Sequence, residues 1–558
     1  MYFSKQPRFS QFWLTVLALA LMPLRAAGDS VPDALSSETA RSADSFVDSI
    51  GVNVKLSYLD TPYGDFDKLE AVLKRSGIRH IRDGLTAKPE IQQRLLKLHA
   101  DGIGATLIVD GDALIPGFGP QNEFLKRMAV LAPAVEMFEG TNEADAGCAF
   151  DGKQFPSSLD ELQHILYRTV KNGPYAAIPV IAPSMGYPPN STKIPNEPGD
   201  FGNIHSYHGA RNPGTTENRL DLPKFYLGNS AIVSPGKPVI CTETGNPTAA
   251  YPDPGLWMPR ISEWAQGKYS LRTYLEYFNS GIVRTFIHEL IDEHPNPYLD
   301  EQNFGLLRND WSPKPAFTGI TNTIAILSDP APKAFTPSAL SYQLTGEMSN
   351  VHHTLLQKRD GTFYLVLWQE APSYDPNRFQ DIGVPDAAVQ LQVRPTEFDA
   401  VYTYQPMAWS TPCALDLVAA DGTVKLNVAD QPLIVQLLPA GADLVVSSAG
   451  VVGDGAESGR PVKFKAVVTN QGTAPTPAGV IVSVTFFDET AGAHQMLTYS
   501  AKTQDAIGPG QSISVESDHD WTPGHSGKYV LGALVDDLKR VPETERANDH
   551  LTLTIEVK

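Results

Sequence analysis

Met137-Phe138-Glu139-Gly140-Thr141-Asn142-Glu143-Ala144-Asp145 and Lys237-Pro238-Val239-Ile240-Cys241-Thr242-Glu243-Thr244-Gly245 follow one pattern, an apolar, strand-like run that breaks off at a glutamate. In a parallel barrel the C-terminal ends of several strands converge on one pocket, so side chains a hundred positions apart become neighbours. Glu143 and Glu243 are therefore read as a facing pair. Taken singly, each is an ordinary strand-end glutamate, solvated in a loop or capping a helix. The amide of Asn142 directly before Glu143, and the order strand, glutamate, glycine around Glu243, favour the functional reading.

Outward from these two stretches, apolar strands alternate with helical patterns, the mark of a parallel sheet with crossover helices. Strands are predicted over 51–56, 78–84, 105–110, 179–183, 203–209 and 282–289, with the fourth strand ending at Glu143 and the seventh at Glu243. Phe66, Leu69, Val72 and Leu73 recur at helical spacing with Gly77 as a stop. Leu159, Leu162, Ile165, Leu166 and Val170 give a later helix its stripe, and another helix is predicted around 271–278. Eight strands within residues 45–325 suit one (β/α)8 TIM barrel of about 250 residues. Periodicity alone leaves an open doubly wound sheet as the alternative.

Beyond this α/β unit the texture changes to short alternating strands. Val351 to Gln357 and Thr362 to Gln369 flank Asp360-Gly361, a hairpin signal, and Asp421-Gly422 marks another turn. Residues 326–440 are predicted to form a β-sandwich. Residues 441–558, with strands over 461–469, 480–487, 511–516 and 551–557, are predicted to form an immunoglobulin-like β-sandwich.

Residues 1–28 carry Lys5 and Arg8, an apolar run from Phe12 to Leu24, and then Ala26, Ala27 and Gly28, which reads as a secretory signal peptide. The run is shorter than the ~20 residues a bilayer-spanning helix needs, and no later stretch is long enough to span. The mature chain is thus expected to be secreted, periplasmic or extracellular. It would keep about 530 residues, room for two to four domains. Cys148, Cys241 and Cys413 are the only cysteines, so at most one bridge can form, and free, buried thiols are expected.

With 44 Lys and Arg against 63 Asp and Glu, the net charge of -19 leaves no basic surplus to displace counterions from a phosphate backbone, which argues against nucleic acid. A polyanionic polysaccharide is disfavoured for the same reason, and a neutral glycan fits best. Nucleotide-loop and zinc-protease motifs are absent. Two carboxyl groups roughly 5 Å apart are what hydrolysis of a glycosidic bond with retention needs, one to protonate the leaving oxygen and one to attack the sugar carbon.

Thr141-Asn142-Glu143, His205-Ser206-Tyr207, Thr242-Glu243-Thr244, Asn303-Phe304-Gly305-Leu306-Leu307-Arg308 and Lys314-Pro315-Ala316-Phe317 together resemble glycoside hydrolase clan A, and the texture over residues 45–440 is similar to its family 39 and family 5 members. The resemblance implies that Glu143 is the acid/base, Glu243 the nucleophile, and Asn142 a donor to the sugar 2-hydroxyl. Ala144 stands where the pattern usually has proline, and Phe286-Ile287-His288-Glu289 lacks the usual tryptophan. Val468-Thr469-Asn470-Gln471-Gly472-Thr473-Ala474, Gly508-Pro509-Gly510-Gln511 and Val535-Asp536-Asp537 with Val541-Pro542-Glu543 resemble the bacterial CARDB domain, which implies a binding or spacer module for a glycan or cell surface.

Around the pair, Arg82 and Tyr207 are candidates to hold Glu243 ionised. Arg82 has the alternative of a rim salt bridge to Asp83 or Asp110, and Tyr207 that of a rim aromatic. His205, His208 and His288 at strand ends raise the question of zinc; substrate hydrogen bonding is the preferred reading, with no metal and no cofactor. Glu289 is the replacement carboxylate should the pair prove distant, with Asp292 and Glu293 as further rivals. Tyr58, Tyr63, Trp257 and Trp311 are offered as faces for sugar C–H groups, or as ordinary packing. Two rivals to hydrolysis remain: a catalytically silent carbohydrate-binding or surface-attachment protein on a barrel scaffold, and a transglycosylase using the same site.

Overall fold

The computed structural model describes residues 35–111, 120–217, 219–249, 258–330, 334–453, 455–541 and 543–558. The expected signal peptide, Trp257 and Pro542 lie outside them. Eight parallel strands, β1 (Ile50–Asn53), β2 (His80–Gly84), β3 (Gly104–Ile108), β4 (Val135–Glu139), β5 (Val180–Ile181), β6 (Gly202–His205), β7 (Val239–Thr244) and β8 (Thr285–Ile287), form one sheet in the order β6-β7-β8-β1-β2-β3-β4-β5. At the remaining seam a parallel bridge pairs Ile181 with Phe201, and Ala182 N donates to Phe201 O at 2.9 Å, so the sheet is a nearly closed barrel.

Helices α1 (Phe66–Ser76), α2 (Pro89–Ala100), α3 (Pro120–Leu131), α4 (Ser157–Lys171), α5 (Gly228–Val233), α6 (Glu263–Asn279) and α7 (Pro315–Leu327) flank it. In α1 the Asp65 side chain accepts from Lys68 N, and Leu69, Val72 and Leu73 turn inward. Gly77 ends the helix at φ 72°, where a Cβ would sit 2.8 Å from Ile324 Cγ2. Burying side chains such as Ile81, Leu107 and Phe138, all fully enclosed, contributes about 1.5–3 kcal/mol each.

The observed strands are mostly shorter than the predicted ones. β4 stops at Glu139, four residues before Glu143, because the backbone leaves the sheet at Gly140. Glycine is required there, since a Cβ would lie 2.3 Å from Gln163 Oε1 and 3.3 Å from Pro183 Cα.

The predicted hairpin is present, with Val351–Gln357 antiparallel to Phe363–Gln369. It belongs to a six-stranded sheet that shares residues 339–439 with a four-stranded one. The polar leader is part of this unit: Ser36–Thr39 pairs with Ala339–Gly346, and Arg41–Ser42 pairs with Val351–Gln357. An exposed four-residue edge strand has no apolar alternation by which a sequence could show it. The last unit has a three-stranded and a four-stranded sheet that share a core including Phe464, Phe486 and Leu531. Strands Leu444–Val451, Gln495–Thr503 and Gly527–Val535 add to the four predicted there. All three cysteines are free; Cys241 alone is buried and Cys413 is exposed, contrary to the expectation of buried thiols.

Candidate active site

The C-terminal strand ends surround a cleft of about 800 Å³ whose lining includes Arg82, Asn142, Glu143, Tyr207, Glu243 and His288. At its floor, β2 delivers Arg82, a fully buried cation whose chemistry is set by the carboxylates around it. Its Nε and Nη2 form a bidentate pair with Glu139 from the end of β4, Nη2 to Oε1 at 2.9 Å, and its Nη1 donates to Glu243 Oε2 at 2.9 Å. These ion pairs, rather than one with Asp83, hold the guanidinium. Nη2 also donates to Asn142 Oδ1 at 2.6 Å. With its oxygen committed, the Asn142 amide has its NH2 free to face the cleft.

Glu243, near the end of β7, accepts on its other oxygen from the Tyr207 hydroxyl. Burial alone would raise its carboxyl. His205, His288, Arg82 and the Tyr207 hydroxyl outweigh burial and hold it well below the usual carboxylate range. It is an ionised carboxylate with both oxygens fixed.

Glu143 lies in the loop after β4, with a left-handed backbone at φ 41°. Such a conformation is uncommon outside glycine and is held where surrounding contacts over-determine it. Glu143 N donates to Ser184 Oγ at 3.2 Å, and Ala146 N donates to Glu143 O at 2.9 Å. The Glu143 carboxyl meets His205 Nδ1 at 2.7 Å. An oxygen of Glu143, one of Glu243 and a nitrogen of His205 all lie within 4.8 Å of one another. The two glutamates thus face each other across the cleft.

His205 is buried behind Glu143, with its Nε2 on Thr242 Oγ1 at 3.0 Å. Burial would lower its imidazole, yet Glu243, Glu139 and Glu143 push it up to about 9. His288 lines the cleft, and burial pushes it down to about 4.

Four predicted site residues do not reach the cleft: His205, enclosed behind Glu143, and the following three. His208 is enclosed between Leu220 O at 2.8 Å and the Tyr277 hydroxyl at 2.8 Å, because it points away from the barrel mouth past the end of β6. Glu289 is fully buried against the Tyr63 hydroxyl at 2.8 Å and Lys55 at 3.8 Å, so Tyr63 holds this carboxyl instead of offering a face to sugar. Trp311 packs against the barrel core at φ 71°. Asp292 and Glu293 are paired with Lys314 and Lys55. Tyr58 does line the cleft, as does Tyr187, and both rings are about half exposed.

The sequence reading missed Glu139, the last residue of β4, whose fully buried carboxylate accepts from Arg82, Thr242 Oγ1 at 2.8 Å and Asn203 Nδ2 at 3.1 Å. Its signal was present: an acidic residue directly after Met137-Phe138 and before Gly140, at the end of the strand. Among the described residues, two groups have metal-ligand types in close array, Glu143 with His205 and Glu243, and Asp160 with His164 and Glu197.

Residues 441–553 match the family model of the CARDB domain. No curated protein matches the chain. Among solved structures, similar ones include a family 39 glycoside hydrolase from the gut symbiont Bacteroides cellulosilyticus, 18% identical over 71% of this chain and 82% of that one, with a TM-score of 0.49. A family 39 enzyme from Xanthomonas axonopodis pv. citri is 15% identical over 72% of this chain and 95% of that one, with a TM-score of 0.45. A CARDB domain from Pyrococcus furiosus, solved in complex with di-metal ions, is 20% identical over 21% of this chain and 90% of its own length, with a TM-score of 0.17.

Proposed function

We propose that this protein is a retaining glycoside hydrolase that cleaves a neutral polysaccharide or oligosaccharide, with Glu143 as acid/base and Glu243 as nucleophile. The observation that carries this reading is the approach of the two carboxyl groups to within 4.8 Å, a separation suited to direct attack on the sugar and shorter than the roughly 6.5–9.5 Å at which inverting enzymes hold their two carboxyls.

In the first step a Glu243 oxygen attacks the anomeric carbon while Glu143 gives its proton to the leaving oxygen. Arg82 and Tyr207 hold the nucleophile's rotamer. The second step returns the electrons: with the Glu243 charge consumed in the ester, Glu143 removes a proton from water, which attacks the same carbon and releases Glu243. In this reading the Asn142 NH2 bonds the sugar 2-hydroxyl throughout. Double displacement of this kind needs two carboxyls and water and calls for no cofactor.

Charge supports the neutral class. Asp110, Asp145 and Glu301 line the cleft beside the two glutamates, whereas its cations Lys55 and Arg82 are both paired with carboxylates. A substrate carboxylate or sulfate would enter a negative field. Tyr58 and Tyr187 offer rings to sugar C–H faces. The leader over residues 1–28 supports export of the chain as a further part of this proposal.

The test is proton NMR of a neutral aryl β-glycoside during turnover. The reading expects a first-formed hemiacetal of the same anomeric configuration as the substrate. An inverted product, or no turnover across a panel of neutral glycans, would overturn it.

A further inference from the structure

On the outside of the barrel, Asp160 and His164 stand one turn apart on α4, and Glu197 faces them from the segment that leads into β6. One ligand atom of each lies within 4.8 Å of the others. His164 Nδ1 is 3.6 Å from Asp160 Oδ1 and 3.6 Å from Glu197 Oε2. A tetrahedral ion with bonds of about 2.0–2.2 Å holds its ligand atoms roughly 3.4 Å apart, so the imidazole nitrogen stands within a few tenths of an ångström of that spacing from each carboxylate. None of the three lines the cleft.

A second observation points to a cation. The Glu197 side chain is only 2% exposed, and its Oε2, the oxygen aimed at His164, has no hydrogen-bond partner. Among the described residues no lysine or arginine forms an ion pair with Glu197 or Asp160. A buried carboxyl group whose close polar neighbours are a second carboxylate, Asp160, and an imidazole at 3.6 Å is costly as an anion on its own. A positive charge at the centre of the three would remove that cost.

We propose that Asp160, His164 and Glu197 form a binding site for a divalent transition-metal ion of the zinc class, which fastens α4 to the segment before β6. The imidazole nitrogen in the set favours such ions over Ca²⁺ and Mg²⁺, which prefer oxygen-only shells. His164 Nδ1 also lies 2.9 Å from the Asp160 carbonyl oxygen, to which it donates when protonated. Metal binding at Nδ1 replaces that hydrogen bond and leaves the ring proton on Nε2. The site's role is structural: α4 follows the loop that carries Glu143, and the Glu197 segment precedes the strand that carries His205.

The experiment is a calorimetric titration of the chelator-stripped full chain with Zn²⁺, made in a Glu243→Gln background so that the cleft cluster has lost a ligand. His164→Ala, at a half-exposed position, and the near-isosteric Glu197→Gln are titrated beside it, with circular dichroism to establish that each is folded. The expected result is one equivalent of Zn²⁺ lost in both variants, a thermal midpoint that Zn²⁺ raises in the parent but not in His164→Ala, and no displacement by excess Ca²⁺. The same zinc stoichiometry and affinity in His164→Ala as in the parent, or no zinc bound by the parent at micromolar concentration, overturns the proposal.

Discussion

Glu143 Oε1 lies 2.7 Å from His205 Nδ1, while the other nitrogen of that ring lies 3.0 Å from the Thr242 hydroxyl. Both ring nitrogens of His205 are therefore engaged, and the buried imidazole fixes the Glu143 carboxyl from behind. His205, offered by the sequence as a substrate donor, is in the structure buried behind Glu143 and holds that side chain in place.

Stability should record this contact as a pH dependence. An imidazole has a pKa of about 6.5 in an unfolded chain, and His205 is pushed up to about 9 in the folded one. A raised value favours the folded state fully below pH 6.5, and the contribution is lost as pH rises through 9. The thermal midpoint of the wild type should fall between these limits more steeply than that of His205→Gln. Equal slopes in a pH series of melting curves would reject the assignment.

Substitution at the two glutamates should separate their roles. Glu143→Gln is expected to lower kcat by about 10²–10⁴ on alkyl glycosides and by less on aryl glycosides whose leaving groups need no proton. Added azide should restore turnover in Glu143→Ala, because the anion attacks the glycosyl-enzyme without a base. Glu243→Gln should show no turnover and no rescue. Steady-state rates on a matched alkyl and aryl pair, with and without azide, decide the matter.

Glu139 is expected to matter as much for folding as for chemistry. Glu139→Gln leaves Arg82 buried with one ionised partner in place of two, and breaking a buried pair costs about 3–5 kcal/mol. Urea unfolding should show a loss of that size, and kcat should drop as Arg82 is drawn further onto Glu243. Arg82→Lys should behave similarly, since an ammonium cannot span Glu139, Glu243 and Asn142 as a planar fork does. A loss below about 1 kcal/mol for Glu139→Gln would mean that Glu243 alone balances the guanidinium.

How much of this was legible in the sequence differs by level. The alternation of apolar strands with helical stripes disclosed the eight barrel strands, and Asp360-Gly361 disclosed the hairpin, because period and turn chemistry are local properties. The partners Arg82, Asn142, Tyr207 and Glu243 were legible because each sits at or just beyond a strand end. The depth of a side chain was not legible. His208 is one residue past Tyr207, so on an extended segment it points to the opposite side. Glu289 and Trp311 are placed by packing against Tyr63 and the barrel core, which no local pattern encodes. Glu139 was passed over because the predicted strand runs four residues too far, which makes Glu143 its strand-end carboxylate.

Charge selectivity follows from the carboxylates of the cleft. For an aryl β-glucoside and the matching β-glucuronide, which differ only in a carboxylate, kcat/KM should be lower for the uronide by at least tenfold, about 1.4 kcal/mol. Raising ionic strength should narrow the gap by screening the exposed charges. A uronide preference at low salt would contradict the neutral-glycan assignment.

The barrel and the adjoining sandwich should unfold as one unit because of Arg272. From the middle of α6 its guanidinium donates to Gln369 O at 2.8 Å, Ala371 O at 2.9 Å and Asp430 O at 3.1 Å, and it lies 3.2 Å from the buried carboxylate of Glu370. These acceptors all belong to the sandwich, so one fully enclosed side chain on a barrel helix satisfies groups on two of its loops. Arg272→Ala removes this donor from three carbonyls and leaves the buried Glu370 carboxylate, which keeps only Asn212 and Gly214 N, without its cation, which predicts a loss of about 3–5 kcal/mol. If Arg272 couples the two units, calorimetry should resolve the single transition they share into two, with the sandwich melting first. A single transition merely shifted to lower temperature would show that the rest of the interface suffices to couple them.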